Sequence, residues 1–341
     1  VRQQCAVFSN SYLATPHQER SVHLSNEIVT APADSIRHGG SHLFWAGEPL
    51  PWLARSIGQL GQAQPVLVHE THGGLALIAG HARLAVLRAL GLPVLARLVI
   101  DADTVDLGLL YLADNFLRPL DDAMRLAALR YFAPLLDRPT LATDILPRLG
   151  VNPESKDAKL LLAWLDLPAV WQAHLAAGRA PLAAAAALAR MTEADRSAVA
   201  PLFADHSWSR SNAVNLLTWL FETSQMTGNP VAQVMDDANM ADPAIRTLSP
   251  KDAMARLVAL AKASRYPSLS ALEARFESVA REMTAGTSWR IAQPDNFETN
   301  GVELAIRIKD PNQLAKAVHD LKDMADHPQW PRLWNPEASH E

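Results

Sequence analysis

IAGHARLAVLRALG, residues Ile78 to Gly91, is the stretch on which the fold turns. LALIA (Leu75 to Ala79), an apolar run of strand character, enters a glycine at position 80, and HARLAVLRAL then follows with helical spacing up to a second glycine at 91. A buried strand that passes through glycine into a helix leaves the first N–H groups of that helix free, at the positive end of its dipole, and so favours a bound anion. Gly80 lets the backbone approach a ligand, and Arg83 in the first turn adds a forked donor. A tight structural turn has the same local sequence, so the surroundings have to decide.

On the N-terminal side, LPWLARSIGQLG (Leu50 to Gly61) places Leu50, Leu53, Ile57 and Leu60 at helical spacing before a capping glycine. PVLV (Pro65 to Val68) reads as a strand, HETHGG (His69 to Gly74) as a turn cluster, and LPVLARLVI (Leu92 to Ile100) as a further strand. Helix, strand, turn, strand, helix and strand make a small α/β unit, with one more strand expected near Val22 to Val29. It closes at the acidic run DADTVD (Asp101 to Asp106), read as a solvated loop.

The expected fold class is α+β. A flexible arm (1–20) precedes the α/β domain (21–106), an all-helical domain (107–226) and a linker (227–250). The segment 251–327 carries helices and a strand-strand-helix unit, and 328–341 is a tail. In that unit SWRIA (Ser288 to Ala292) is set to pair with VELAIRIK (Val302 to Lys309), and Asp310 to Met324 forms a helix with an Asp cap. Its stripe of Leu314, Ala317, Val318 and Leu321 serves equally for packing on its own chain or for dimerisation.

With 341 residues, 49% of them hydrophobic and 20% charged, the chain is long enough for more than one core and is not compositionally disordered. A single cysteine, Cys5, excludes an internal disulfide. The absence of a long apolar run leads to the expectation of a soluble, cytoplasmic protein. The formal net charge of -5 argues against a strong nonspecific DNA binder, so DNA contact has to come from a local basic cluster or from two clusters presented by a dimer.

SIGQLGQAQPVLV, IAGHARLAVLRALGLPV and LADNFLRPLDDA, in this order and spacing, resemble the core of the ParB/sulfiredoxin-like family. The family pattern has Gly and Gln-Pro before a strand, a Gly-Glu-Arg-Arg turn and a Glu-Asn-x-x-Arg segment. Gly61, Gln64 and Pro65, then Gly80 to Arg83, then Asp114, Asn115 and Arg118 occupy those places. The resemblance, which extends over Val22 to Met191, implies a pocket for CTP with Mg2+. In it Gln64, Gly80, His81, Arg83, Asn115 and Arg118 hold the nucleotide, no protein metal ligands are expected, and catalytic residues stay unassigned. His81 and Ala82 replace the usual Glu and Arg, which favours binding over hydrolysis. Sulfiredoxin chemistry needs a cysteine in this turn and finds none.

TLATDILPRLGVNPESKDAKLLLAWLDLP (Thr140 to Pro168) has the outline of a helix-turn-helix, about residues 140–166, with Gly150 at the turn, although Pro147 inside the first helix counts against it. Asn152 is the expected cap of the second helix, Pro153 its first residue, and Ala158, Leu161, Leu162 and Leu165 its buried stripe. Ser155, Lys156 and Lys159 then face outward, and with Arg138 and Arg148 they are the candidate DNA contacts. LPAVWQAHLAAGRAPLAAAAALARM resembles the segment that follows this motif in ParB proteins. The family implies DNA as partner, a homodimer, a partner ATPase and a place on the nucleoid. Trp208 and Trp219 read as core residues. Two other readings stand beside this one: a ParB-fold enzyme, nuclease or nucleotide hydrolase, using carboxylates such as Asp101, Asp103 and Asp106, and an interaction module without nucleotide.

Overall fold

The computed structural model describes residues 22–334 apart from 296 and 300. Cys5, the expected arm over 1–20 and the last part of the tail lie outside the described residues. Two units divide the chain, one ending at Ala177 and one beginning at Gly178, and the division falls inside the segment 107–226. The α+β class holds, with a four-stranded sheet near the start and a two-stranded one near the end.

The first unit is built on β1 (His23–Ala31), α1 (Pro51–Leu60), β2 (Val66–Thr71), β3 (Gly74–Ala79), α2 (His81–Ala89) and β4 (Val94–Ile100). The sheet order is β1-β4-β2-β3. β2 and β3 form an antiparallel hairpin, whereas β2 and β4 run parallel because α2 supplies the crossover. The strands extend further than the sequence reading allows. His69, Glu70 and Thr71 belong to β2, and only His72 and Gly73 turn. Val66, Val68, Leu77, Ile78, Ala79, Leu84, Leu87, Val94 and Ala96 are almost wholly buried and give this layer its core. Burying an aliphatic side chain of this kind contributes roughly 1.5–3 kcal/mol.

The acidic run is a solvated loop only as far as Asp103, and its second half is helical. Asp103 caps α3 (Thr104–Asp114), accepting from the backbone N–H of Asp106, while the Asp106 carboxylate accepts from the N–H of Asp103. Asp106 is buried, so this reciprocal box starts the helix. Burial, with the negative charge of Asp103 nearby, pushes the Tyr131 hydroxyl up to about 12, and that hydroxyl donates to the Thr104 carbonyl. Gly108 in α3 lies against α4 (Asp122–Phe132), where a Cβ would come within 2.3 Å of Tyr131 and 2.6 Å of Phe132.

The expected helix-turn-helix region is a continuous first helix that widens in its middle and a regular second one. The first runs as Arg138–Thr140, a wide turn over Leu141–Ile145 and Leu146–Arg148. Pro147 lacks an N–H and its ring crowds the preceding turn, which widens it. After Gly150, at φ 72°, the second helix, α5, spans Lys156–Leu165. Its cap is Ser155, whose Oγ accepts from the N–H of Ala158, and not Asn152, whose side chain accepts from the N–H of Glu154 in the preceding turn. The buried face is also shifted: Ala158, Leu160, Leu161 and Trp164 are buried, and Leu162 and Leu165 only half-buried. α6 (Ala169–Ala176) completes the unit, with Trp171 wholly buried.

In the second unit α7 (Arg210–Thr227) packs Ala213, Leu216, Leu217 and Leu220 inward, next to α8 (Pro250–Arg265) with Ala253, Leu257 and Ala261. The residues 227–250 are not a linker. Val231–Asp237 and Pro243–Arg246 are helical, and Val231, Val234, Met240 and Ile245 are buried. Trp208 is buried and Trp219 half-buried. α9 (Pro267–Met283) follows, and β5 (Arg290–Ala292) pairs antiparallel with β6 (Glu303–Ala305), as the alternation in the sequence implies. α10 (Pro311–Ala325) is capped by Asp310. On its expected stripe Ala317 is buried, but Leu314 and Val318 are exposed. The start of the tail is folded in, since Leu333 is buried with Phe276, Ala280 and Met283 and Trp330 packs beside them.

Candidate functional site

Gly80 ends β3 and caps α2 with φ 95° and ψ 28°, a left-handed conformation that side chains rarely adopt. A Cβ there would also meet Val66 Cγ1 at 2.8 Å. Both facts make this glycine a requirement of the turn. The turn in its place leaves the N–H groups of the first α2 residues at one wall of a cleft of about 640 Å3. Gln64, Gly80, His81, Arg83, Asn115 and Arg118 all line it, together with Glu48, Trp52 and Asp114. Residues fifty positions apart in sequence thus converge on one concave surface of ligand size.

The polar groups there are held by the protein itself. Arg83 Nη2 lies 2.6 Å from Asp114 Oδ2, with both side chains largely buried, and Nη1 donates to the Pro65 carbonyl at 2.9 Å. The Gln64 side-chain oxygen is 3.5 Å from the same guanidinium. Arg83 therefore ties the entry of β2 to the end of α3, its charge compensated by Asp114. Asn115 ends α3 and donates to the Tyr111 carbonyl at 2.9 Å. Arg118 donates to the Trp45 carbonyl at 3.0 Å and lies 5.9 Å from the centre of that indole. Burial, with the Arg88 guanidinium nearby, lowers the His81 pKa, so its ring is neutral near pH 7. At this turn the backbone dipole and N–H groups, more than the histidine, attract an anion.

The candidate DNA contacts separate into two kinds. Lys156 and Lys159 are exposed on the first turns of α5. Arg138 donates to the Leu162 carbonyl at 2.8 Å and is ion-paired with Asp166, while Arg148 pairs with Asp144 at 2.9 Å. Ser155 spends its hydroxyl on the cap. Exposed Glu154 and Asp157 flank the lysines, so this face is only mildly basic.

None of Asp101, Asp103 and Asp106, the carboxylates an enzyme reading would use, lines the cleft of the Gly80 turn. Asp103 and Asp106 are engaged in starting α3. Sequence reasoning missed Trp45 and Trp52, which line the cleft from the segment WAGEPLPW. Two tryptophans closely flanking a turn and a helix start were the available signal.

No family model matches the chain, and no curated protein matches it. Among solved structures it is similar to the C-terminally truncated chromosome-partitioning protein ParB from Caulobacter crescentus complexed to the centromeric parS site. The identity is 18%, over 56% of this chain and 98% of that one, with a TM-score of 0.36. The same Caulobacter protein complexed with CTP-gamma-S is similar at 19% identity, over 52% and 99% of the two chains, with a TM-score of 0.23. A Pnob8-like ParB-N domain is similar at 13% identity, over 72% and 94%, with a TM-score of 0.32. At these identities and scores the likeness is one of fold, and ParB structures are what the chain is similar to.

Proposed function

We propose that this chain is a ParB-like DNA-binding protein of plasmid or chromosome partition, or of transcriptional regulation, whose N-terminal cleft takes a nucleoside triphosphate. The observation that carries the reading is the convergence of the Gly80 turn, Gln64, Arg83, Asn115 and Arg118 on one cleft. CTP is the nucleotide that the family resemblance implies. The residues present fit it: free helix N–H groups at a glycine that admits no side chain, with an arginine and an amide on the same lining. Among the described residues no group of three or more His, Cys, Asp or Glu could hold a metal ion. Mg2+ would be held mainly by phosphate oxygens, with Glu48 as a carboxylate on the lining of the cleft. Binding without turnover is the chemistry that His81 and Ala82 favour.

DNA contact is assigned to the N-terminal turns of α5, through Lys156 and Lys159, with a homodimer presenting two such faces. Arg138 acts by tying the first helix to the end of α5, and Arg148 by pairing with Asp144 within the first helix. A cytoplasmic, nucleoid-associated protein served by a partner ATPase is the setting this implies. Among the described residues no helix is long and apolar enough to cross a membrane. Recovery of DNA crosslinked to the full chain in cells, followed by sequencing, tests the reading. Discrete enriched sites are expected, and uniform background recovery would favour an interaction module instead.

A further inference from the structure

Trp52 is the second residue of α1 and keeps 58% of its surface exposed while lining the cleft of the Gly80 turn. The other large aromatic rings on that cleft are committed to the core. Trp45 is buried, donates from Nε1 to the Met124 carbonyl at 2.8 Å and packs against Phe44 and Tyr111. Tyr111 is almost wholly buried. Ile57 anchors α1 from its inner side, so the helix does not need Trp52 for its core. The lining of the cleft therefore combines two elements of different chemistry. One is the start of α2, with its N–H groups, and the other is an exposed indole.

We propose that Trp52 is the stacking face for the base of a nucleoside triphosphate whose phosphates lie at the Gly80 turn. This rests on the nucleotide reading of the same cleft and adds a residue and a role to it. Every base has a π-face, and an indole presents a large rigid one at little conformational cost. Stacking of this kind supplies affinity for the nucleoside half of the ligand and none for its phosphates. The two halves can thus be probed separately.

Calorimetric titration of the full chain with CTP and with inorganic tripolyphosphate, both with Mg2+, makes the test. Wild type, Trp52→Ala and Trp52→Phe are compared, with thermal melts to confirm that each is folded. Trp52→Ala is expected to weaken CTP on the order of tenfold and to leave tripolyphosphate unchanged, with Trp52→Phe recovering most of the loss. Unchanged CTP affinity in Trp52→Ala overturns the assignment, as does an equal loss for both ligands. If wild type binds neither ligand, the nucleotide reading itself fails, and the role of Trp52 fails with it.

Discussion

Gly80 combines a positive φ with a neighbour, Val66, too close to admit a methyl group. Gly80→Ala is expected to cost about 1–3 kcal/mol, measured as the free energy of unfolding in denaturant; an unchanged value would show that the turn is more tolerant than its geometry implies. Histidines in this domain carry a second consequence. His42 is buried and donates from Nε2 to the Leu77 carbonyl at 2.9 Å, and burial lowers its pKa below the ordinary 6.5. His69 and His81 are lowered as well, by burial and by nearby positive charge. The folded chain then binds fewer protons than the unfolded one below about pH 6.5, so stability is full above that pH and falls as pH decreases. Denaturation midpoints at about pH 7.5 and about pH 5.5 should show this drop, and His42→Gln should reduce it. Sequence makes Gly80 legible because strand, glycine and helix are contiguous. It conceals the roles of Asp103 and Asp106, since a capping box closed by Asp in place of Glu or Gln looks like a loop until the helix behind it is placed.

Elements show where local pattern suffices and where packing overrides it. The glycine-closed helices α1 and α2 and the pairing of β5 with β6 follow from periodicity and are found within a few residues of their expected bounds. HETHGG misleads because its polar residues suit a turn, yet His69 to Thr71 continue the ladder at the partly exposed end of the hairpin. Ser155 wins the cap of α5 over Asn152 because the chain needs three more residues to leave the Gly150 turn. That later start sets Lys156 and Lys159 in the first turns of α5, which is the end that meets DNA if α5 is the recognition helix proposed above. Replacing both lysines with alanine should weaken DNA binding and flatten the slope of log K against log salt by about 0.9 for each phosphate no longer neutralised. Fluorescence anisotropy on duplex DNA at several salt concentrations reads this directly, and an unchanged slope would remove α5 from the interface.

At the scale of the whole molecule the division at Ala177 gives the cleft and α5 to one unit. Each unit has buried residues of its own, so a fragment of residues 22–177 should unfold cooperatively by circular dichroism and retain CTP binding. A broad, noncooperative melt would mean that this unit depends on the rest of the chain. Composition misjudged the span 227–250 because Gly, Asn, Asp and Pro there cap short helices that bury Val231, Val234, Met240 and Ile245. Punctuating residues mark helix ends as readily as linkers, and only tertiary burial distinguishes them. The cleft itself was half legible. Its polar residues stood out through the family resemblance, whereas the aromatic wall and the Arg83 to Asp114 pair emerge only when α1, α2 and α3 are brought together.

The central claim is that the start of α2 receives the phosphates of a nucleotide, and Ala82→Asp tests it most directly. An aspartate in the first turn favours the helix dipole, by about 0.3–1 kcal/mol, while repelling any phosphate placed there. Calorimetric titration of both proteins with CTP and Mg2+ should show saturable binding to wild type and none to Ala82→Asp, whose melting temperature is unchanged or slightly raised. Equal binding by both proteins, or no saturable binding by wild type, would contradict the account.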